Sequence, residues 1–333
     1  MNFPKRAAPS VVRLLASMLL AGLALGVQAQ PGSTVYVSSE KDKKIYMFNA
    51  KGDRLGAIDT CERPRHMVLS LDKKTMYVCC GNSNELGVID MATQKMVRTM
   101  ELGESPEIFD FNSDQSTVYV SIEDANVMAA YDMATGKELF TVATGGEPEG
   151  IYVTKDNKYA YVTSEVANVV HLIDLKSRKV VKDIKVGKRP RRFMPAANGS
   201  ELWVSDELSN SVSVIDLASH TVKHTVVFKV KGFRDADVMP VGLVSSLDGK
   251  SMWVALGRAN HVAEVDVATR QVKQMVLAGQ RAWGLDLSPD GKTLYVTNGL
   301  SDDMTLVDVS GSKAKPVRTV SVGRVPHSVL VSR

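Results

Sequence analysis

After residue 29 the chain has no apolar run approaching the roughly 20 residues that an α-helix needs to cross a bilayer. Cysteine is scarce: Cys61, Cys79 and Cys80 are the whole set. None lies in a Cys-x-x-Cys-His context, which excludes covalently attached c-type haem. Their spacing offers no fourth ligand and no zinc pattern. Gly-x-Ser-x-Gly, the phosphate loop Gly-x-x-x-x-Gly-Lys and the zinc-protease motif His-Glu-x-x-His are all missing. Carboxylate neighbours such as Asp302-Asp303, or Asp235 with Asp237, are ordinary turn composition. Apolar residues do not recur at helical spacing. An excess of one charge is missing too, because 41 basic residues face 37 acidic ones. That balance gives no general argument for nucleic acid or an anionic membrane as partner.

The first 29 residues read apart from the rest. Lys5, Arg6 and Arg13 precede an apolar run from Leu14 to Val27, and Val27-Gln28-Ala29 has the small-x-small form of a cleavage site. This pattern predicts a secretory signal peptide over 1–29, cut near Ala29, and a periplasmic, monomeric mature chain. Three of the four surplus positive charges lie in that leader, so the mature net charge falls from +4 to +1.

What the chain does have is a repeat. Tyr36, Tyr77, Tyr119, Tyr161, Trp203, Trp253 and Tyr295 are each followed by Val, at spacings of 41, 42, 42, 42, 50 and 42 residues. Thirteen residues beyond each stands Asn49, Asp90, Asp132, Asp174, Asp216, Asp266 or Asp308. The most complete copy runs from Ser288 to Asn298. Each unit parses into four short strands separated by turn residues, a pattern that fits a propeller blade and not a helical solenoid. One blade is too small to bury both of its faces, so it depends on its neighbours. The expected fold is therefore all-β: a seven-bladed β-propeller of four-stranded antiparallel blades, spanning 30–333 as a single domain. The mature chain begins with a second strand and stops after a first strand. Pairing of these two is expected to close the ring.

Strand direction sends the Asp turns to one face and the variable loops to the other, and function on a scaffold usually resides in variable loops. The inner strands open there with Gly-x-x-Pro or a variant. Arg63, Arg65, His66, Glu107, Glu149, Arg189, Arg191, Arg192, Arg281, Trp283 and His327 are thereby expected to ring the channel mouth as an electropositive ligand pocket. Arg258 and His261 join from a neighbouring loop. Arg234 and Asp237 lie in the eight-residue insertion before Pro240, a candidate lid. The rival reading is that these are solvated loop charges and interblade pairs. Cys61 stands where five other units have Gly. A Cys61–Cys80 disulfide is the favoured reading, against a vicinal Cys79–Cys80 bond or a soft metal site of Cys61, Cys80 and His66. No catalytic set stands out.

Leu294-Tyr295-Val296-Thr297-Asn298 resembles the signature of the YVTN-type β-propeller repeats, over essentially all of 34–332. The blade openings Arg63-Pro64-Arg65-His66, Glu147-Pro148-Glu149-Gly150, Arg189-Pro190-Arg191-Arg192-Phe193, Arg281-Ala282-Trp283-Gly284 and Val325-Pro326-His327 look like the secreted subgroup associated with pyrroloquinoline quinone (PQQ)-dependent catabolism. That resemblance implies a non-catalytic binding or scaffold role beside a periplasmic quinoprotein alcohol dehydrogenase or its cytochrome c, with PQQ as a conceivable bound ligand. Two alternatives stand beside it: an enzyme of the propeller lactonase or quinoprotein-dehydrogenase-subunit sort, with its site at the channel mouth, and a broader ligand or single-strand binder.

Overall fold

Seven four-stranded antiparallel sheets follow one another around a ring. In the computed structural model, which describes residues 1–2 and 32–333, six of these blades are continuous in sequence. Their inner strands are Pro64–Leu69, Pro106–Phe111, Pro148–Val153, Pro190–Pro195, Pro240–Ser245 and Ala282–Leu287. The seventh blade takes its inner strand, Pro326–Val331, from the chain end and its other three, Val35–Ser39, Lys44–Phe48 and Arg54–Asp59, from the start. Val35 pairs with Val331 and Val37 with Val329, so the ring closes as expected. The expected leader falls almost wholly outside the described residues. Ser33–Arg333 forms one compact unit, and among the described residues no helix is long and apolar enough to cross a membrane.

The repeated landmarks have direct physical roles. Six of the seven repeat aromatics are buried and Tyr77 is half-buried. Trp203 packs with Leu243 and Val254 of the next blade, and Tyr295 with Val35 and Val329, so each ring fills an interblade gap. The Asp thirteen residues on shapes a turn: Asp132 Oδ1 accepts from the Thr135 N–H at 2.7 Å, and Asp266 Oδ1 from the Thr269 N–H at 2.8 Å.

A hydroxyl near the end of the second strand bolts neighbouring blades together. Thr163 Oγ1 accepts from Gly150 N (2.7 Å) and donates to Arg191 O (3.3 Å), while Thr297 Oγ1 accepts from Gly284 N (2.8 Å) and donates to His327 O (2.8 Å). Ser38 and Ser121 bond in the same way. Cys79 occupies this position in its own blade, where it is free, buried and carries a thiol pushed up to about 12 by desolvation.

Cys61 and Cys80 form a disulfide, Cα to Cα 5.8 Å, which removes the vicinal-bond and metal alternatives. In other blades the equivalent Gly lies against the last residue of the second strand, Ser164 for Gly145 and Asn298 for Gly279. Here that contact is covalent. With the two cysteines 19 positions apart, reduction or Cys61→Ser is expected to cost about 3 kcal/mol. Urea unfolding with and without reductant measures it. Cys79→Ala should change stability far less, and Cys79 should alkylate only after unfolding.

Candidate functional site

Three local features aim side chains at the channel mouth. The residue before each inner strand, namely Arg63, Ser105, Glu147, Arg189, Met239, Arg281 or Val325, has left-handed backbone. Such geometry is costly for a side-chain-bearing residue, most of all for β-branched Val325 at φ 56°. Proline follows in six of the seven cases and starts the strand. The ladder then slips by one residue, as between Pro190 and Phe193 or Ala282 and Leu285, a bulge that re-aims the two residues inside it.

The first residue of each bulge makes a ring of seven buried side chains at the channel neck: Arg65, Glu107, Glu149, Arg191, Val241, Trp283 and His327. Arg65 pairs with Glu107, and with Glu40 at 3.1 Å. Arg191 meets Glu165 at 2.7 Å, Glu149 at 3.2 Å and Glu207 at 3.4 Å. Arg192 reaches Glu149 at 3.0 Å, Arg63 reaches Glu107 at 3.3 Å, and Arg189 bonds Glu165 at 2.5 Å. The neck is thus a compensated ionic network and not the open electropositive pocket expected from the arginine count.

Burial and charge sort the titrating groups. Desolvation acts to raise Glu149, but Arg191, Arg192 and Arg65 together outweigh it and hold the carboxylate at about 2. Glu165 is pushed up to about 7, by burial first and by Glu149, against the pull of Arg191 and Arg189. His327 is held neutral, well below its ordinary value, by burial and by the cations around it. Its Nε2 accepts from Arg65 (3.2 Å) and Arg192 (3.1 Å), so its lone pair is already engaged. His66, held down to about 3 by desolvation, lies below the neck edge-on to Phe109, with ring centroids 5.1 Å apart.

The predicted residues therefore divide. Arg189, Arg191, Arg258, Arg281 and Trp283 line a mouth pocket of about 310 Å³. Arg63, Arg65 and His327 line a smaller one of about 100 Å³, again with Arg281 and Trp283. His66 and Arg192 belong to the channel beneath, and Glu107 and Glu149 serve the ionic network. Arg234 and Asp237 pair with each other at the surface, at 2.7 Å, and line none of these spaces. His261 directs Nδ1 to Ala259 O and meets Phe233 of the insertion edge to face. Phe228, Val230 and Val238 anchor the ends of the insertion in the core, residues 231–236 between them are exposed, and its Asp235–Asp237 turn rests beside the turns Glu207–Ser209 and Gly257–Ala259.

The residue that opens the loop after each second strand was missing from the sequence expectations, and it decides where the pockets are. Around the ring it reads Glu40, Gly81, Glu123, Glu165, Glu207, Gly257 and Gly299. Arg189 stands between Glu165 and Glu207 and bonds both, the second at 3.3 Å. Arg281 stands between Gly257 and Gly299. It has no carboxylate partner among the described residues and lies over Trp283, 4.0 Å from the ring centroid. The two mouth pockets are lined by these same glycines. Aligning the loop openings by unit would have exposed this Glu-to-Gly switch. Among the described residues no cluster of three His, Cys, Asp or Glu is arranged to hold a metal.

Two family models match parts of the chain: the YNCE-like beta-propeller over residues 102–195, and the lactonase, 7-bladed beta-propeller, over residues 175–332. No curated protein matches it. Similar solved structures include a putative 6-phosphogluconolactonase from Bacteroides fragilis (TM-score 0.79, 15% identity, 92% of this chain and 99% of that one). A periplasmic gluconolactonase from Pseudomonas aeruginosa is similar at TM-score 0.77 and 17% identity, over 90% and 99% of the two chains. Kuenenia stuttgartiensis hydrazine synthase is similar at TM-score 0.72 and 18% identity, over 84% and 93%. At such identities these likenesses speak to fold alone.

Proposed function

We propose that the chain hydrolyses a small anionic lactone of the sugar-acid type in the 310 Å³ mouth pocket. The observation that carries this reading is Arg281, a half-buried guanidinium without a carboxylate, stacked on Trp283 and joined at the pocket by Arg258. Two cations unpaired among the described residues suit a substrate carboxylate or phosphate together with the oxyanion that develops at an attacked carbonyl. Glu207 is the carboxylate in the lining. Its Oε2 is held by Arg189 (3.3 Å) and Arg191 (3.4 Å), and its Oε1 has no donor among the described residues. In this reading Glu207 takes a proton from water, the hydroxide oxygen bonds to the lactone carbonyl carbon, and the ring C–O bond breaks as the proton passes to the leaving oxygen. The product is the open hydroxy acid. The match of the lactonase model to residues 175–332, which contain all six of these residues, supports the reading.

An accessory role in PQQ-linked oxidation is the rival reading. PQQ carries three carboxylates, and at the neck Arg65 and Arg191 are already paired with buried glutamates.

The test is pH-stat hydrolysis of glucono-δ-lactone and its 6-phosphate by the purified chain. Glu207→Gln is expected to lower kcat by about 10²–10⁴-fold. Gly299→Glu sets a carboxylate beside Arg281 in a space where a Cβ has its nearest neighbour at 3.6 Å, so it should raise KM with little loss of fold. A rate no faster than in buffer with both lactones, beside saturable binding of PQQ or capture of a quinoprotein or cytochrome c partner, would favour the rival.

A further inference from the structure

Beneath the neck, the channel continues for about 510 Å³ toward the opposite face. At its upper end the buried ring of seven side chains described above closes it off. At its lower end half-exposed Leu247 and Arg333 form the rim. The bore between is mainly apolar, with Met67, Phe109, Ile151, Phe193, Leu243 and Leu285 contributed by six different blades.

Three groups lining the closed end, Arg192, Trp283 and His66, keep N–H donors without acceptors among the described residues. Arg192 uses Nη2 for Glu149 (3.0 Å) and His327 (3.1 Å), while its Nε and Nη1 have no acceptor among the described residues. Trp283 borders the channel there, and its buried indole N–H is likewise unpartnered. His66 makes no hydrogen bond among the described residues and faces the same space. A buried donor left unpaired costs free energy, so this end calls for an acceptor.

We infer that the channel is a second binding site, separate from the mouth pocket, for an amphipathic monocarboxylate of the fatty-acid type. Its head accepts from Arg192 beside His66 and Trp283, and its tail lies along the apolar bore. Unpaired N–H donors at the head end and apolar surface along the length select for that chemistry together. A sugar would satisfy only the first of these, and a neutral hydrocarbon only the second.

Calorimetric titration of the full folded chain with hexanoate, octanoate and decanoate tests the assignment. Affinity is expected to rise about fourfold for each added methylene, as burial of apolar chain requires. Replacing decanoate with 1-decanol should weaken binding at least about tenfold, since a charge-assisted contact is lost. Ser245→Trp, in the lower half of the bore, should abolish binding and leave lactone turnover at the mouth unchanged. His66→Phe retains packing on Phe109 and should weaken binding about tenfold; it serves if Ser245→Trp does not fold. Absence of saturable binding for all three acids would mean a water-filled channel and would overturn the inference. Equal affinity for decanol, or full affinity in Ser245→Trp, would overturn it as well.

Discussion

A chain ending at Val325 is expected to lose its cooperative unfolding transition and to aggregate, although only eight residues are missing. Those residues supply the inner strand of the seventh blade, and their partner strand lies almost 300 positions earlier. Without them Val35–Ser39 becomes a bare strand edge, all five of its residues buried in the intact ring. The bolts from Ser328 N to Ser38 Oγ (3.0 Å) and from Thr297 Oγ1 to His327 O (2.8 Å) disappear, as does the packing of Val329 and Val331 in the interblade core. Each fully buried aliphatic side chain contributes about 1.5–3 kcal/mol. A whole domain holds only about 5–15 kcal/mol, so the loss is comparable with the total. Calorimetry and light scattering measure the effect. A truncated chain with the parent melting temperature would refute closure as the source of cooperativity. Removing Arg333 alone deletes an exposed residue paired with Asp286 and should have a small effect.

The second large effect is expected at Arg191. Arg191→Met leaves Glu149, Glu165 and Glu207 without the guanidinium that all three share, in a site where each carboxylate is almost wholly buried. Breaking one buried ion pair from one side costs about 3–5 kcal/mol, and this change breaks three contacts at once. The deficit should depend on pH with a definite sign. Glu149 is held low, at about 2 in the fold against 4.5 ordinarily. Its contribution is therefore present above about pH 4.5 and fades as pH falls toward 2. Glu165 acts in the opposite sense. Raised to about 7, it favours the fold fully below about pH 4.5, and this help is lost as pH climbs through 7. In Arg191→Met the cation is gone, both carboxylates lean toward the neutral form, and protonation relieves the variant. The stability gap to the parent should thus be widest near pH 7.5 and shrink toward pH 4.5. Urea titrations at the two pH values read it, and a gap under about 1 kcal/mol that ignores pH would show that Arg191 does not hold an ionised network.

Much of the fold was legible because each landmark acts locally. The aromatic, the Asp turn and the period of 42 residues report what a single unit needs, and seven copies repeat the message. Position along the unit also assigned the loops to their faces. The mouth was legible only as a list of residues. Arg65, Arg191 and Arg192 look like free cations in the sequence, and folding sets each within reach of a glutamate from another segment. Arg234 and Asp237 stand close to a candidate pocket in the chain, yet their three-residue separation lets them satisfy each other first.

The amino-acid order by itself determined the propeller, the seven units, the closure of the ring and the favoured cysteine pair, because these follow from periodicity and from short-range turn and strand chemistry. Only the tertiary structure decided which charge is spare. Arg189 and Arg281 occupy the same place in their units, and neither differs from the other in its immediate neighbours in a way that predicts its state. Glu165 and Glu207 flank the first, and Gly257 and Gly299 the second. A guanidinium's state depends on the carboxylates within a few ångströms of it, and here those belong to loops about 20 residues away on either side, brought together by the ring.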